Sequence, residues 1–369
     1  MIYEALSNAR AKGGGIQIHV LLLVKALRNF GHNPLLFRTR PLHSDKISIR
    51  LAVNVLMQPF LFFFGIVRVL RIVKNMNIHL IHVHGARLPL ILGFFICRIT
   101  RIPLVVTIHE WRSWANKLNR QYKSADKIIV ISQEVKLILE NYGVDKTKLV
   151  YIPNMVDTDF FGSTIVNQDR SDRSYRLVFM GRLHPSKIGI LKILLKATPR
   201  IVQKLPATQV WVVGARGSKF LEISRMARDI NERIGKKVVV LLGYVKDPAK
   251  IIQAADIVIG VGRVALEAMA HGKPTIVGWS QDGSTFTGGL VNKENVYELE
   301  KYNFTGRNYS ERINAQQMTE LIVSLLRNEG YRKIVGKYYK KFVKRKFVIK
   351  VIIPEIMSVY SAVLNNRSS

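Results

Sequence analysis

Two successive doubly wound α/β domains are what this sequence predicts, and three observations lead there. Short Val/Ile/Leu-rich runs, bounded by polar residues, glycine or proline, alternate with helical patterns, as buried parallel strands and their crossover helices do. The alternation stops at a polar segment, 163–174, rich in Ser, Asp, Asn and Gln, and then restarts. At 369 residues, with 48% hydrophobic and 22% charged, the chain has the length of about two domains and the composition to fill their cores. A disordered or collagen-like chain is excluded.

In the first domain the strand-like runs are 33–37, 78–83, 103–108, 127–131 and 148–152, with helical stretches such as 19–29, 88–99 and 134–141 between them. In the second they are 176–180, 209–213, 237–242, 256–259 and 274–277, again separated by helices. Residues 1–165 are therefore assigned to one domain and 175–335 to the other. Residues 336–369 form a basic helical tail, with a return to the first domain as an open possibility.

Charge narrows the choice of partners. Lys and Arg number 57 against 25 Asp and Glu, a net +32 that attracts nucleic acid, anionic lipid or a nucleotide substrate. Between Ala5 and His109 the one acid is Asp45, against fourteen Lys or Arg. Within that stretch 51–67 is uncharged and is followed by Arg68, Arg71 and Lys74. Asn54, Gln58, Pro59 and Gly65 interrupt it, and it falls short of the ~20 apolar residues of a span. It is read as an interfacial segment or a core helix with a solvated basic end. A second run, 331–351, carries nine cations and no acid, with Ile334, Tyr338, Phe342 and Val343 as an apolar stripe. Such a helix suits an anionic membrane surface. Specific nucleic-acid reading is not expected, because the chain has no helix-turn-helix, zinc-finger or RNP-like pattern. Cys97 is the single cysteine, so no intramolecular disulfide forms and a reducing compartment fits. Met1 is followed by Ile-Tyr-Glu, which is not the start of a signal peptide.

Three motifs fall where a strand gives way to a helix, the ligand-binding end of a doubly wound sheet. Gly13-Gly14-Gly15 precedes a helix and lets backbone N–H groups approach an anion, without the Gly-Lys-Ser/Thr of a Walker loop. In Gly181-Arg182-Leu183-His184-Pro185-Ser186-Lys187 a buried strand delivers a guanidinium fork, with an ammonium five residues on, which suits a diphosphate. Gly260-Val261-Gly262-Arg263-Val264-Ala265 has the form of a dinucleotide fingerprint, with Asp282 at the distance of a ribose acid but inside a polar segment, 280–289. Hydride transfer is therefore a minor reading.

Taken in order, the glycine loop, Val83-His84-Gly85, Thr107-Ile108-His109-Glu110, Tyr151-Ile152-Pro153-Asn154, Gly181-Arg182 with Lys187, and 266–274 (LEAMAHGKP) resemble family 4 of the retaining glycosyltransferases. The resemblance runs from the glycine loop to about Pro274. It implies the GT-B fold, two facing Rossmann-like domains with a cleft between them, and the sugar nucleotide held mainly by the second. It also implies retention of configuration, no cofactor and no metal. Transferred residue by residue, Arg182 and Lys187 hold the donor diphosphate and stabilise its departure, Glu267 binds the ribose hydroxyls, and Gly14 and Gly15 pass close to the donor. His109 faces the donor sugar and, with Arg182 and Lys187, is placed in the catalytic set. Gly262 and Arg263 complete the donor site, Arg263 as a further phosphate contact.

The chain departs from the family at Ile259, eight positions before Glu267, where the family carries a first glutamate facing the donor sugar. Three other features are assigned bland roles. Asp157-Thr158-Asp159 is read as a turn rather than a metal site. His82 and His84 share one face of a strand but lack a third ligand nearby in sequence, although His84 can line the cleft. Trp111 and Trp114 either stack on an acceptor sugar or pack on the domain. The expectation is a cytoplasmic, peripherally membrane-bound enzyme of glycan biosynthesis. It moves a hexose-type sugar from a nucleotide diphosphate sugar to a lipid-linked or glycan acceptor. The alternative is a weakly catalytic accessory subunit that binds sugar nucleotide or membrane.

Overall fold

A computed structural model describes residues 2–4, 14–38, 48–50, 59–85, 88–110, 119–158, 174–214 and 219–366. The expectations for Gly13, Trp111, Trp114, Asp159 and the 163–173 linker lie outside these residues, as does the start of the 51–67 segment. The chain divides into two compact units, 1–155 with 349–369, and 156–348.

The first unit holds β1 (Ile2–Glu4), α1 (Gly15–Asn29), β2 (Leu36–Arg38), β3 (Ser48–Arg50), α2 (Pro59–Asn75), β4 (Ile81–His84), α3 (Leu88–Thr100), β5 (Leu104–Ile108), α4 (Asn119–Lys123), β6 (Lys127–Val130), α5 (Gln133–Asn141) and β7 (Leu149–Tyr151). Its strands form a parallel sheet in the order β3-β2-β1-β4-β5-β6-β7. β4 and β5 are buried along their whole length, which is why they read as unbroken apolar runs. α1 buries Val20, Leu23, Val24 and Leu27, an i, i+3, i+4, i+7 stripe facing the sheet core. α5 starts at Ser132, whose Oγ accepts from the Val135 N–H at 3.3 Å.

The second unit holds β8 (Tyr175–Met180), α6 (Pro185–Lys204), β9 (Thr208–Val213), α7 (Phe220–Ile234), β10 (Val239–Gly243), α8 (Pro248–Ala254), β11 (Ile257–Ile259), α9 (Arg263–Ala270), β12 (Thr275–Gln281), β13 (Ser284–Leu290), α10 (Val296–Lys301), α11 (Ala315–Arg327) and α12 (Glu329–Lys346). Its sheet runs β10-β9-β8-β11-β12-β13, parallel except for β13, which is antiparallel to β12. Residues 280–289, expected as a polar segment, are the turn and strands of that hairpin.

The last helix, α13 (Ile349–Asn365), belongs to the first unit. It buries Ile352, Ile353, Ile356, Val359, Tyr360 and Val363 in the core that contains Val20, Leu23 and Leu27. The domain division expected at 335/336 is thus moved to 348/349. α12 stays with the second unit because Val335, Tyr339, Phe342 and Val343 are buried in its core, beside Leu266, Met269 and Phe304. Its outer face presents Lys333, Ile334, Lys337, Lys340, Lys341, Lys344 and Arg345, all exposed. Of the uncharged 51–67 run, residues from Pro59 onward are the first half of α2. Among the described residues no helix is long and apolar enough to cross a membrane.

Candidate active site

In each sheet one strand has neighbours whose connections leave in opposite directions, and ligands of doubly wound sheets bind outside the carboxyl ends there. In the first unit this point lies between β1 and β4, and in the second between β8 and β11. The residues singled out in the sequence fall at these two ends.

In the first unit α1 opens at Gly14 and Gly15. Gly14 is extended (φ −76°, ψ 153°), and its N–H donates to Gln17 Oε1 at 3.2 Å. A Cβ at either glycine would meet nothing within 4 Å, so the surrounding described structure does not demand glycine there. A closely approaching ligand would.

Beside the glycines the fold assembles four histidines. The register pairs His84 of β4 with Thr107 of β5, so His109, two residues on, emerges on the same side of the sheet as His84. His84 Nδ1 and His109 Nε2 are 3.3 Å apart and share a hydrogen bond, and the His19 ring of α1 lies 5.0 Å from His109 and 5.5 Å from His84. His82 stacks obliquely on His84, with 4.1 Å between ring centroids, as the one-face expectation requires. It is also held by Tyr360 Oη at 2.6 Å and Thr107 Oγ1 at 2.7 Å. Burial raises the pKa of the Tyr360 phenol, so it stays protonated; taken as the donor to His82 Nδ1, it leaves the Nε2–H of the neutral ring to donate to Thr107.

Burial is the main cause holding His82 and His109 down to about 3, and with the neighbouring imidazoles it pushes His84 well below the ordinary range. At neutral pH these three imidazoles are uncharged. His109 therefore offers a ligand a hydrogen-bond donor or acceptor, not a cation. Nitrogens of His19, His84 and His109 all lie within 4.8 Å of one another, which makes them the described set able to converge on a metal ion. Sequence spacing shows the His82–His84 pair but misses His19. Only the packing of α1 against the sheet brings it in.

In the second unit two glycines draw three strand ends together. A Cβ on Gly214, after β9, would sit 1.9 Å from the Gly181 carbonyl oxygen. One on Gly260, after β11, would sit 2.4 Å from Val264 Cγ1 and 3.2 Å from the Met180 oxygen. Arg182 leaves the end of β8 exposed. His184 then caps α6, its Nδ1 accepting from the Ser186 N–H at 3.4 Å, with Pro185 at the first helical position. This places Lys187 in the first turn of α6. Arg263 opens α9, and neither helix has an acid in its first turn. Two helix N-termini, both positive ends of backbone dipoles, thus carry cations instead of the acids that would neutralise them. That arrangement selects for an anion.

Gly262, the cap of α9, has φ 62° and ψ −126°, a conformation for glycine, and its N–H donates to the Phe304 oxygen at 3.0 Å. From this fixed turn Arg263 folds inward, and its Nε lies 2.8 Å from Glu267 Oε1, with both side chains less than a tenth exposed. Burial pushes the Glu267 carboxyl up and Arg263 opposes it. Ile259 ends β11, fully buried and paired with Phe179 of β8 and Ile276 of β12. The position eight residues before Glu267 is core. Asp157 is buried beside Val156, which pairs with Val348.

Comparison with known proteins places this geometry. Residues 13–160 match the model of "Glycosyltransferase Family 4", and 174–301 match "Glycosyl transferases group 1". A D-inositol 3-phosphate glycosyltransferase of Geodermatophilus obscurus is 30% identical over 173 residues, 41% of this chain and 38% of its own. A UDP-Gal:alpha-D-GlcNAc-diphosphoundecaprenol alpha-1,3-galactosyltransferase of Escherichia coli is 25% identical over 58% of this chain and 61% of its own. The matches thus span less than two thirds of either relative. The crystal structure of Anabaena HepE in complex with UDP-glucose superposes with a TM-score of 0.73 at 18% identity, covering 98% of this chain and 100% of that one. Both halves of the sequence and the two parallel sheets agree, and the chain belongs to the family 4, group 1 glycosyltransferases, with the GT-B fold.

Proposed function

We propose that this protein is a retaining glycosyltransferase that moves a hexose-type sugar from a nucleotide diphosphate sugar to a lipid-linked or glycan acceptor. The observation that carries the reading is the acid-free N-terminus of α6 at the carboxyl end of β8, with Arg182 just before it and Lys187 in its first turn. Negative charge grows on the diphosphate as the glycosidic bond breaks, and fixed donors aimed at that charge lower the barrier. Arg182 supplies a fork and Lys187 a point charge for this purpose, with the α6 and α9 N–H groups beside them. Glu267 accepts from the ribose hydroxyls. In the first unit Gly14 and Gly15 give the donor close backbone approach, and the neutral His109 imidazole hydrogen-bonds the donor sugar. None of these steps calls on a metal.

An acceptor with a phosphate or diphosphate fits a chain of net charge +32, and both relatives named above are described with phosphorylated acceptors. The exposed cationic face of α12 supports a peripheral position on an anionic membrane, at its cytoplasmic face. A weakly catalytic accessory role is the second reading, and the buried Ile259 favours it. Thermal shift against UDP- and GDP-hexoses, followed by donor hydrolysis with and without a lipid diphosphate acceptor, separates the two. Stabilisation with turnover supports the enzyme, stabilisation without turnover supports the accessory role, and no stabilisation by either class of donor removes the enzyme and the sugar-nucleotide form of the accessory role. A ligand at 100-fold over its Kd adds about 2.7 kcal/mol, well within reach of the measurement.

A further inference from the structure

We propose that Arg263 is a positioning residue, folded onto Glu267 so that one carboxylate oxygen is fixed and the other is left to accept the ribose hydroxyls of the donor. The proposal rests on the sugar-nucleotide reading above and adds to it a role for a guanidinium that the sequence assigns to a phosphate.

Three features of the turn support it. Arg263 is the first residue of α9, where a cation opposes the helix dipole, and Glu267 lies one turn further in, where an acid gains little from it. Helix electrostatics alone would favour the reverse order. The pair is also deeply placed, with the two side chains 9% and 8% exposed and Nε 2.8 Å from Oε1. Burying an ion pair is weak evidence for stability, since desolvation consumes most of the attraction. A chain selected only for folding could fill this space with apolar side chains, as it does with Ile259 and Leu266, both of them buried. Finally, the turn that launches Arg263 is pinned: Gly262 has a glycine conformation, and its N–H is held by the Phe304 oxygen at 3.0 Å. A local rule broken at such cost, in a fixed geometry at the ligand end of the sheet, is the pattern of a functional pair.

What the pair achieves follows from the chemistry of a buried carboxylate. Without a counter-charge, burial would favour the neutral acid, which has lost acceptor capacity for two adjacent hydroxyls. The guanidinium opposes that shift and, with its Nε 2.8 Å from Oε1, fixes one carboxylate oxygen. Arg263 then acts on the donor through Glu267 and needs no contact with phosphate.

The test is a cycle between protein and ligand. UDP and GDP, each with its 2′,3′-dideoxy form, are titrated calorimetrically into the wild type, Arg263→Ala, Arg263→Lys and Glu267→Gln. The wild type should prefer the ribose form of the nucleotide it binds by tenfold or more, in line with hydrogen bonds to a charged group. Arg263→Ala and Glu267→Gln should bind ribose and dideoxy forms within about threefold of each other, whereas Arg263→Lys should keep part of the preference. Equal discrimination in Arg263→Ala and wild type overturns the proposal, and so does loss of affinity for both forms by one common factor, which is what a direct phosphate contact gives. Should Arg263→Ala fail to fold, Arg263→Lys against wild type decides: undiminished preference in the lysine variant rejects a role for the fork. Failure of the wild type to bind either nucleotide rejects the sugar-nucleotide reading itself, a result distinct from all of these.

Discussion

Acid should unfold the first unit through its histidines. In the unfolded chain each imidazole titrates near 6.5, but in the fold His82 and His109 are held at about 3. Between those values the unfolded state binds more protons, so stability is full above pH 6.5 and falls as the pH drops through this window. Going from pH 6 to 4.5 costs about 1.9 kcal/mol for each such group, or about 4 kcal/mol for the two. His84, lowered for the same reason, adds to the loss. Against a typical domain stability of about 5–15 kcal/mol this is a large fraction. Carboxylates that favour the fold by staying ionised, such as Glu222 beside Lys192, give up their contribution at lower pH. Glu267 works in the opposite sense, because its carboxyl is raised in the fold. Urea denaturation at pH 6 and 4.5, on the wild type and on His82→Gln, measures the effect. The variant keeps partners for Tyr360 and Thr107 but has no proton to gain, so its pH-dependent loss should be smaller by about 1.9 kcal/mol. The same loss in both proteins, or a wild type as stable at pH 4.5 as at 6, would refute the assignment of neutral buried imidazoles.

Three further outcomes are expected. Arg182→Ala and Lys187→Ala, once shown to melt like wild type, should each lower kcat and raise the donor KM, with kcat/KM down about 100-fold or more, and Arg182→Lys should restore little; wild-type turnover in both would end the diphosphate assignment. Ile259→Glu places a carboxylate in the contact between β8, β11 and β12, and chemical denaturation should show a loss of about 3 kcal/mol or more with no gain in turnover, whereas a faster enzyme would show that the site accepts the acid. The protein should sediment with anionic vesicles and not with neutral ones, at about 1 kcal/mol per engaged cation, and release in high salt; equal partitioning to both kinds would discard the electrostatic attachment.

Much of this was legible in the sequence because central parallel strands are buried on both faces and show as apolar runs. β4, β5, β6 and β11 carry that signal. β1 and β3, three residues each, are too short for any periodicity, and β13 (STFTGGL) is half-exposed and glycine-rich. The functional residues at strand ends were legible for a related reason, since their motifs mark where a buried run stops. Direction was not. The sequence reads Arg263 as a phosphate contact, whereas the fold sets its Nε 2.8 Å from Glu267 Oε1. Likewise the histidine cluster depends on strand register and on α1, which no local pattern encodes.

The return of α13 to the first unit has a bearing on biosynthesis. The first unit is interrupted after Met155 and resumes at Ile349, so the second is an insertion within it. At about 5–20 residues per second, roughly 10–40 s pass at the ribosome between the two parts. Throughout that interval Val20, Leu23 and Leu27 lack the apolar cover of Ile352 and Ile356, and His82 lacks Tyr360. The second unit, contiguous in the chain, can finish folding first. The amino-terminal half is therefore made first and completed last, and its incomplete core is a natural client for a chaperone during synthesis.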